Sequence, residues 1–204
     1  MYTMVRDRIS IETDYGEDWM SRSNRTQRGL ADPSRLKPLD SDDKGTLRVV
    51  IETPKGSRNK FAFDADEHVF QLKKVLPAGM TFPYDFGFVP STTADDGDPV
   101  DVLVLMDEPA FPGCVLTCRP IGVIEGEQTE KHNNKKERND RIVAIEQDAH
   151  SWADIERMED LGKQFERELE EFFVNYHKIS GSEYRILGVK GRSAARKLVK
   201  SSKR

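Results

Sequence analysis

The residues best placed for chemistry form an acidic run that reads Asp95-Asp96-Gly97-Asp98-Pro99-Val100-Asp101. Its four carboxylates repel one another unless something cationic lies between them. Hard divalent cations take oxygen ligands, and Mg²⁺ in particular is held by a few carboxylates together with water and phosphate oxygens. Taken alone, the run is equally consistent with a metal site and with an acidic surface loop.

Two other classes of acidic motif do not match this spacing. An EF-hand calcium loop needs glycine at its sixth position and glutamate at its twelfth. Counted from Asp96, the fifth position is Val100 and the sixth is Asp101, so the match fails. The Asp-x-Asp pair of aspartyl-phosphate hydrolases follows a hydrophobic strand, whereas here the predicted strand comes after the pair.

Cationic side chains stand in other predicted strands, where they are able to face the acidic run. Lys60 opens one strand, Lys73 and Lys74 lie in the next, and Arg141 opens a later one. Each of them alone is consistent with a solvated side chain. Carboxylates that hold metal ions, combined with cations that neutralise phosphate oxygens, would make a phosphoryl-transfer site.

The elements that must position these residues are strands first and helices later. Period-two alternation and apolar runs predict strands at 47–51, 60–64, 69–76, 100–106, 115–124, 141–145 and 184–187. Apolar residues at helical spacing predict a helix over 165–176 and a basic one over 193–200, and Ser151 is a candidate cap for a short helix to Asp160. Strands followed by helices favour a mostly β, α+β fold.

Composition divides the chain at residue 44. Residues 1–44 are polar, of mixed charge and without periodicity, so they predict a mobile N-terminal arm with too little apolar surface to offset the entropy of ordering. Residues 45–204 are long enough to bury a core without disulfides. We therefore expect one compact domain at 45–204, ending in helices.

Composition also disfavours several classes of protein. The chain has no apolar run of 18 residues and no apolar segment near its start, which predicts neither a membrane span nor a secretory signal. Cys114 and Cys118 lie too far apart on a strand to form a disulfide, which favours the reducing cytoplasm. The net charge is −4, and the basic tail 190–204 lacks the interleaved aromatics that stack on bases, so nucleic-acid binding is not expected.

Four blocks of this sequence, in consistent order from about Thr46 onward, resemble the soluble family I inorganic pyrophosphatases. The 96–102 block matches the family's D-G-D-P-x-D-V signature, and 82–90 is similar to its Y-P-x-N-Y-G-F-I-P segment. Residues 119–123 resemble its R-P-I-G-V strand and 172–176 its F-F-x-x-Y helix. The resemblance implies a closed five-stranded antiparallel barrel of the oligonucleotide-binding (OB) type with flanking helices, in a trimer or hexamer.

The resemblance also implies a reaction and a role for each matched residue. The reaction is Mg²⁺-dependent hydrolysis of pyrophosphate to two phosphates, with Mn²⁺ or another divalent cation as a further option. Asp98 would accept the proton of the attacking water or orient it. The implied metal ligands are Asp96, Asp101, Glu52 and Asn139, with Asp101 bridging two ions. The implied contacts to substrate phosphates are Lys60, Lys74, Arg141 and Tyr176.

Several positions depart from the family pattern. They are Ala62 in place of Glu, Phe86 in place of Tyr, Gln128 and Asn139 in place of acidic ligands, and His177 in place of Lys. An amide ligand keeps an oxygen donor but loses one negative charge, which predicts weaker occupancy of that metal. The alternatives are therefore a weakened or inactive homologue that acts as a binding or scaffold protein, or a hydrolase of another small phosphate ester.

Overall fold

The computed structural model describes residues 32–39, 45–129 and 135–203. The predicted mobile arm falls mostly outside these ranges, and its mobility stays a prediction. Its described part, residues 32–39, lies against the domain: the Ser91 N–H donates to Ser34 O at 2.8 Å and the Arg48 N–H to Pro38 O at 2.9 Å. In the described ranges no helix is long and apolar enough to cross a bilayer.

The described chain contains nine strands and two α-helices. They are β1 (Leu47–Thr53), β2 (Asn59–Asp64), β3 (Val69–Val75), β4 (Asp85–Phe88), β5 (Asp101–Leu105), β6 (Val115–Thr129), β7 (Lys136–Arg138), β8 (Arg141–Glu146), α1 (Gly162–Ile179), β9 (Glu183–Gly191) and α2 (Arg192–Ser201). The predicted strands and the two later helices are confirmed, so the fold is mostly β with two helices. The predicted pattern lacked β4 and β7, which are only four and three residues long.

Five strands form a ring in the order β1–β4–β5–β8–β6, and β6 pairs back to β1. This confirms the predicted OB-type arrangement, but not every pairing is antiparallel. β5 and β8 run parallel, with Asp101 opposite Arg141. A parallel pair needs a long crossover, and the chain between β5 and β8 provides one through β6 and β7.

The predicted helix from Ser151 to Asp160 is wrong. Residues 151–154 form turns, and only Met158–Leu161 adopts a 3₁₀ helix. Two carboxylates accept hydrogen bonds from the backbone of this segment. Asp107 accepts from the N–H groups of His150 and Ser151, and Asp160 accepts from those of residues 156 and 157. Such side-chain acceptors compete with the helical hydrogen-bond ladder.

β5 is buried on both faces, as its continuous apolar run predicts. Leu103 and Leu105 belong to a core cluster that packs against α1, whereas Val102 and Val104 belong to a second cluster that includes residues of α2. Both faces of β5 are therefore fixed by packing. The first residue of the strand, Asp101, is held at a defined point on the edge of this core.

Candidate active site

A cleft of about 570 Å³ opens where β1, β2, β5, β8 and α1 meet. Seven of the nine residues predicted for the site line it, and they are Glu52, Lys60, Asp98, Asp101, Asn139, Arg141 and Tyr176. The other two adjoin it. Lys74 Nζ lies 3.6 Å from the centroid of the Tyr176 ring, and Asp96 accepts the backbone N–H of Asp98 at 3.2 Å.

The acidic run forms a tight turn before β5. Gly97 has a φ of 90°, a left-handed conformation that favours glycine, and its N–H donates to Ala94 O at 3.0 Å. The buried Thr92 hydroxyl holds the far side of the turn, since it accepts the Val100 N–H at 3.0 Å. The turn leaves Asp98 exposed at the cleft, and β5 begins with Asp101.

Asp101 has the most perturbed carboxyl group of the acidic run. Burial raises its pKa to about 7, and the negative charges of Glu52 and Asp96 act in the same direction. The cations Arg141 and Lys60 oppose the rise but do not cancel it. The ionised form of Asp101 is therefore short of positive charge.

Glu52 ties β1 to the β2–β3 hairpin. One carboxylate oxygen accepts the Phe63 N–H at 2.8 Å, and the other lies 3.2 Å from Lys60 Nζ. The Lys60 ammonium also sits 4.0 Å from the centroid of the Phe86 ring. The aromatic ring thus contacts the lysine through its face, an arrangement that stabilises a cation.

Lys60 and Lys74 stand opposite each other in the hairpin. Burial, and then the charge of Lys60, lower the pKa of Lys74 to about 8. Like charges directly opposite each other destabilise a pair of strands. Lys60 Nζ contacts Glu52, and Lys74 Nζ donates to the Ser180 hydroxyl at 2.6 Å. Two lysines paired across a hairpin beside a cleft are well suited to bind an anion with several negative oxygens.

Arg141 is 3% exposed and opens β8 beside Asp101. Its Nη1 donates to Asn139 O at 3.2 Å, whereas its Nε lies 3.7 Å from Asp101 Oδ2, too far for a hydrogen bond. In the described part of the chain this buried Nε has no hydrogen-bond acceptor. A buried guanidinium N–H without a partner is costly, so the geometry favours an anionic ligand in the cleft.

Asn139 and Gln128 form an amide pair at the end of the cleft. The Asn139 side-chain amide donates to Gln128 Oε1 at 2.8 Å, and Asn139 itself is largely buried. Asp140, the neighbouring carboxylate, is already engaged by the Gly126 N–H and by Arg138. It does not line the cleft, so the amide of Asn139 is the oxygen donor available at this position.

The chain matches the family model described as inorganic pyrophosphatase over residues 49–204. The chain belongs to the inorganic pyrophosphatase family. An inorganic pyrophosphatase from Synechocystis is 39% identical over 155 residues, which are 76% of this chain and 88% of the relative. One from Methanosarcina acetivorans is 34% identical over 165 residues, or 81% and 95% of the two chains.

Solved structures of the family share the fold. The crystal structure of inorganic pyrophosphatase from Thermus thermophilus aligns with a TM-score of 0.76 at 30% identity and covers 84% of this chain and 97% of its own. The Neisseria gonorrhoeae structure gives 0.73 at 29% identity, with coverage of 84% and 96%. The ring of strands and its helices are therefore those of the inorganic pyrophosphatases.

Members of this family are metal-dependent hydrolases. The described residues contain no group of three carboxylate, imidazole or thiol side chains that converges closely enough to hold one ion. The chemistry of the cleft nevertheless fits a hard cation. The acidic side chains that line it offer carboxylate oxygens as ligands, and the ionised form of Asp101 lacks a full counter-charge. Glu52 and Asp101 instead face the cations Lys60 and Arg141.

Sequence reasoning missed the part that His177 takes in this site. The sequence placed His177 only as a departure from the family's lysine, but the residue is buried and lies 3.3 Å from Arg141 Nη2. A usable signal was present, because Phe165, Leu169 and Phe173 recur every fourth residue and His177 continues that buried face of α1.

Proposed function

We propose that this protein hydrolyses inorganic pyrophosphate to two phosphates with Mg²⁺ as its metal. The observation that carries the proposal is the opposition of two kinds of group across one cleft. Carboxylates of the acidic turn and β1 line one part, and Lys60 and Arg141, whose Nε has no acceptor among the described residues, line another. Lys74 adjoins this second part, opposite Lys60 in the hairpin. Membership of the inorganic pyrophosphatase family supports the same substrate.

The carboxylates take the metal-binding roles in this proposal. Glu52, Asp96 and Asp101 hold the cation through carboxylate oxygens, and Asn139 adds an amide oxygen. A divalent cation bound there supplies positive charge that polarises water and offsets the charge of phosphate oxygens. Asp98 is exposed at the cleft, where its carboxylate accepts the proton of the attacking water.

The cations and Tyr176 orient the substrate. Lys60, Lys74 and Arg141 neutralise phosphate oxygens, which matters most for the leaving phosphate because it departs with high negative charge. Burial raises the pKa of Tyr176 further above its ordinary value, so its hydroxyl stays protonated and donates a hydrogen bond. In this arrangement Phe86 contributes no hydroxyl and instead supports Lys60 through its ring face.

The decisive experiment is phosphate release from pyrophosphate by purified protein, with Mg²⁺, Mn²⁺, Co²⁺ and Zn²⁺ tested one at a time. We expect release with Mg²⁺ and little release from a phosphate monoester under the same conditions. A folded protein that releases no phosphate with any of the four metals would be the inactive homologue. Faster release from the monoester would identify a hydrolase of another phosphate ester.

We further propose a homotrimer or homohexamer in the cytoplasm, without nucleic acid or membrane as a partner. The oligomer rests on the family resemblance, and the compartment on the unpaired thiols Cys114 and Cys118. Light scattering of the purified protein at several concentrations tests the first, since a monomeric mass throughout would contradict it. Fractionation of the source cells tests the second.

A further inference from the structure

The guanidinium of Arg141 packs against two aromatic rings. Its central carbon lies 4.2 Å from the centroid of the Phe173 ring on α1 and 4.7 Å from that of Tyr184 on β9. The two rings lie 5.8 Å apart and are tilted by 49°, so they contact the group from adjacent sides, and their faces offer it no directional acceptor. Its orientation must therefore be set by the acceptors around its edge.

Two acceptors lie on that edge. Arg141 Nη1 donates to the Asn139 carbonyl at 3.2 Å, and Nη2 lies 3.3 Å from His177 Nε2. An arginine N–H group can only donate, so Nε2 of the imidazole must carry its lone pair. With both Nη groups directed at protein acceptors, the remaining Nε is the nitrogen on the Asp101 side of the group.

The contacts of the other ring nitrogen, Nδ1, fit the same tautomer. Nδ1 lies 3.3 Å from the Ser182 hydroxyl oxygen, and that hydroxyl in turn donates to the His177 carbonyl at 3.2 Å. Because the hydroxyl proton is already directed at the carbonyl, the hydroxyl oxygen is free to accept from Nδ1–H. The contacts therefore form one consistent chain of donors, from Arg141 to His177 and from His177 to Ser182.

The imidazole is itself held firmly. It stacks on the Tyr184 ring with a centroid distance of 4.8 Å and an interplanar angle of 13°, and only 7% of the residue is exposed. Burial, with the nearby charges of Arg141 and Lys74, lowers the pKa of His177 to about 3. The ring is thus neutral at ordinary pH and keeps the lone pair that Arg141 requires.

We propose that His177 is a positioning residue for the pyrophosphate site: its neutral imidazole orients Arg141 so that the unpartnered Nε–H points at a phosphate oxygen beside Asp101. This proposal rests on the proposed function but concerns a residue that differs from the family's lysine. His177 then replaces the direct cation of a lysine with control over the direction of a second cation, Arg141.

Two substitutions of similar size separate this role from simple packing. His177→Gln keeps a hydrogen-bond acceptor, whereas His177→Leu keeps the volume and loses the acceptor. We expect H177L to raise KM for pyrophosphate about tenfold, with a smaller change in kcat, because a hydrogen bond to a charged group is lost. We expect H177Q to stay within about threefold of wild type, since the acceptor is retained. His150→Leu, at an exposed histidine, is the matched control and should change neither value.

A second measurement does not depend on turnover. Titration with inorganic phosphate should show weaker binding to H177L than to wild type, with binding by H177Q restored. The ¹⁵N spectrum of the histidines should show the His177 proton on Nδ1, and Ser182→Ala should perturb that signal. Suppose that phosphate binds more weakly to H177L than to wild type and H177Q while wild type hydrolyses no pyrophosphate. That result would contradict the proposed function and leave the role of His177 intact.

Several outcomes would overturn the inference. They are an unchanged KM and phosphate affinity in H177L, an equal loss in H177Q and H177L, or a proton found on Nε2. An equal loss of melting temperature in both variants with wild-type kinetics would assign His177 to packing alone.

Discussion

Asp101, a proposed metal ligand, is a carboxyl group whose ionised form weakens the fold that carries it. The residue sits at the first position of β5, where packing of the following strand fixes it among other carboxylates. Its pKa of about 7 lies far above the usual aspartate value, so ionisation of this group at neutral pH and above destabilises the folded protein. A cation bound at this proposed site would offset that destabilisation.

Asp101→Asn is therefore expected to stabilise the metal-free protein at pH 8 while it lowers turnover about 100-fold or more. The folded state binds a proton up to pH 7 that the unfolded state releases near 4, so wild-type stability falls as pH rises between these values. Asparagine has no such charge, and we expect a gain of about 2 kcal/mol in the free energy of unfolding at pH 8.

Urea unfolding of both proteins without metal at pH 5 and pH 8 measures this effect. At pH 5 Asp101 is protonated in the folded protein, so the advantage of the variant should shrink there. Wild-type turnover in D101N would show that the metal ligands lie elsewhere.

Lys74 predicts a pH dependence of substrate affinity. Its pKa of about 8 means that the side chain is charged below that pH and neutral above it. KM for pyrophosphate should rise above pH 8 by up to about tenfold per pH unit, the limit for one required proton. Lys74→Arg should shift this rise to higher pH because arginine stays charged, and Lys178→Arg, at an exposed lysine, should not. A K74R profile identical to wild type would remove Lys74 from the substrate site.

At the scale of elements, the site depends on how closely β1 and β4 approach. Gly87 lies opposite Ile51, and a Cβ at this position would collide with the backbone carbonyl of Val50. Backbone on a paired strand cannot move aside as a flexible side chain can. The next residue of β1 after this contact is Glu52, so the pairing also sets the position of a predicted metal ligand.

Gly87→Ala should therefore reduce both stability and activity. Overpacking of this kind costs about 1–3 kcal/mol, and displacement of β1 would move Glu52 away from Lys60. Gly188→Ala on β9 is the matched control, because a Cβ there meets only Glu125 Oε2 at 3.6 Å, an ordinary contact. Thermal unfolding and phosphate release measure the two effects, and equal behaviour of the two variants would contradict the argument.

At the scale of the whole molecule, the cleft joins segments that are distant in sequence. Glu52, Asp101 and Arg141 come from three strands of the ring, and Tyr176 comes from α1. A ligand that bridges these segments binds only the folded state, because the unfolded chain does not bring them together. Metal binding should therefore stabilise the entire domain.

Mg²⁺ is expected to raise the melting temperature in a concentration-dependent manner. At 100 times the dissociation constant the gain is about 2.7 kcal/mol, or roughly 5–10 °C for a domain of this size. D101N should lose most of the shift, and Asp154→Asn, at an exposed aspartate outside the cleft, should keep it. An equal shift in D101N would place the stabilising ion at another site.

Most of the elements, and the chemistry that they carry, can be predicted from the sequence alone. The two-faced apolar run of β5, the helical stripe of α1 and the acidic turn at Gly97 are local patterns, set by residues that are neighbours along the chain. The ordered blocks around them were enough to indicate the family. One local pattern gave a wrong prediction. The helix predicted for 151–160 does not form, and Asp107 and Asp160 accept hydrogen bonds from backbone N–H groups of this segment.

The pairing of the charged groups, in contrast, depends on the three-dimensional fold. Nothing in the order of residues shows that β8 runs parallel to β5 and so brings Arg141 beside Asp101, or that Asp140 turns to Gly126 and Arg138 while Asn139 faces the cleft. The direction of the Arg141 guanidinium depends on His177, 36 residues away in the chain. Hydrogen bonds and charges act over a few ångströms in space, and that distance is set by the packing of the ring and its helices.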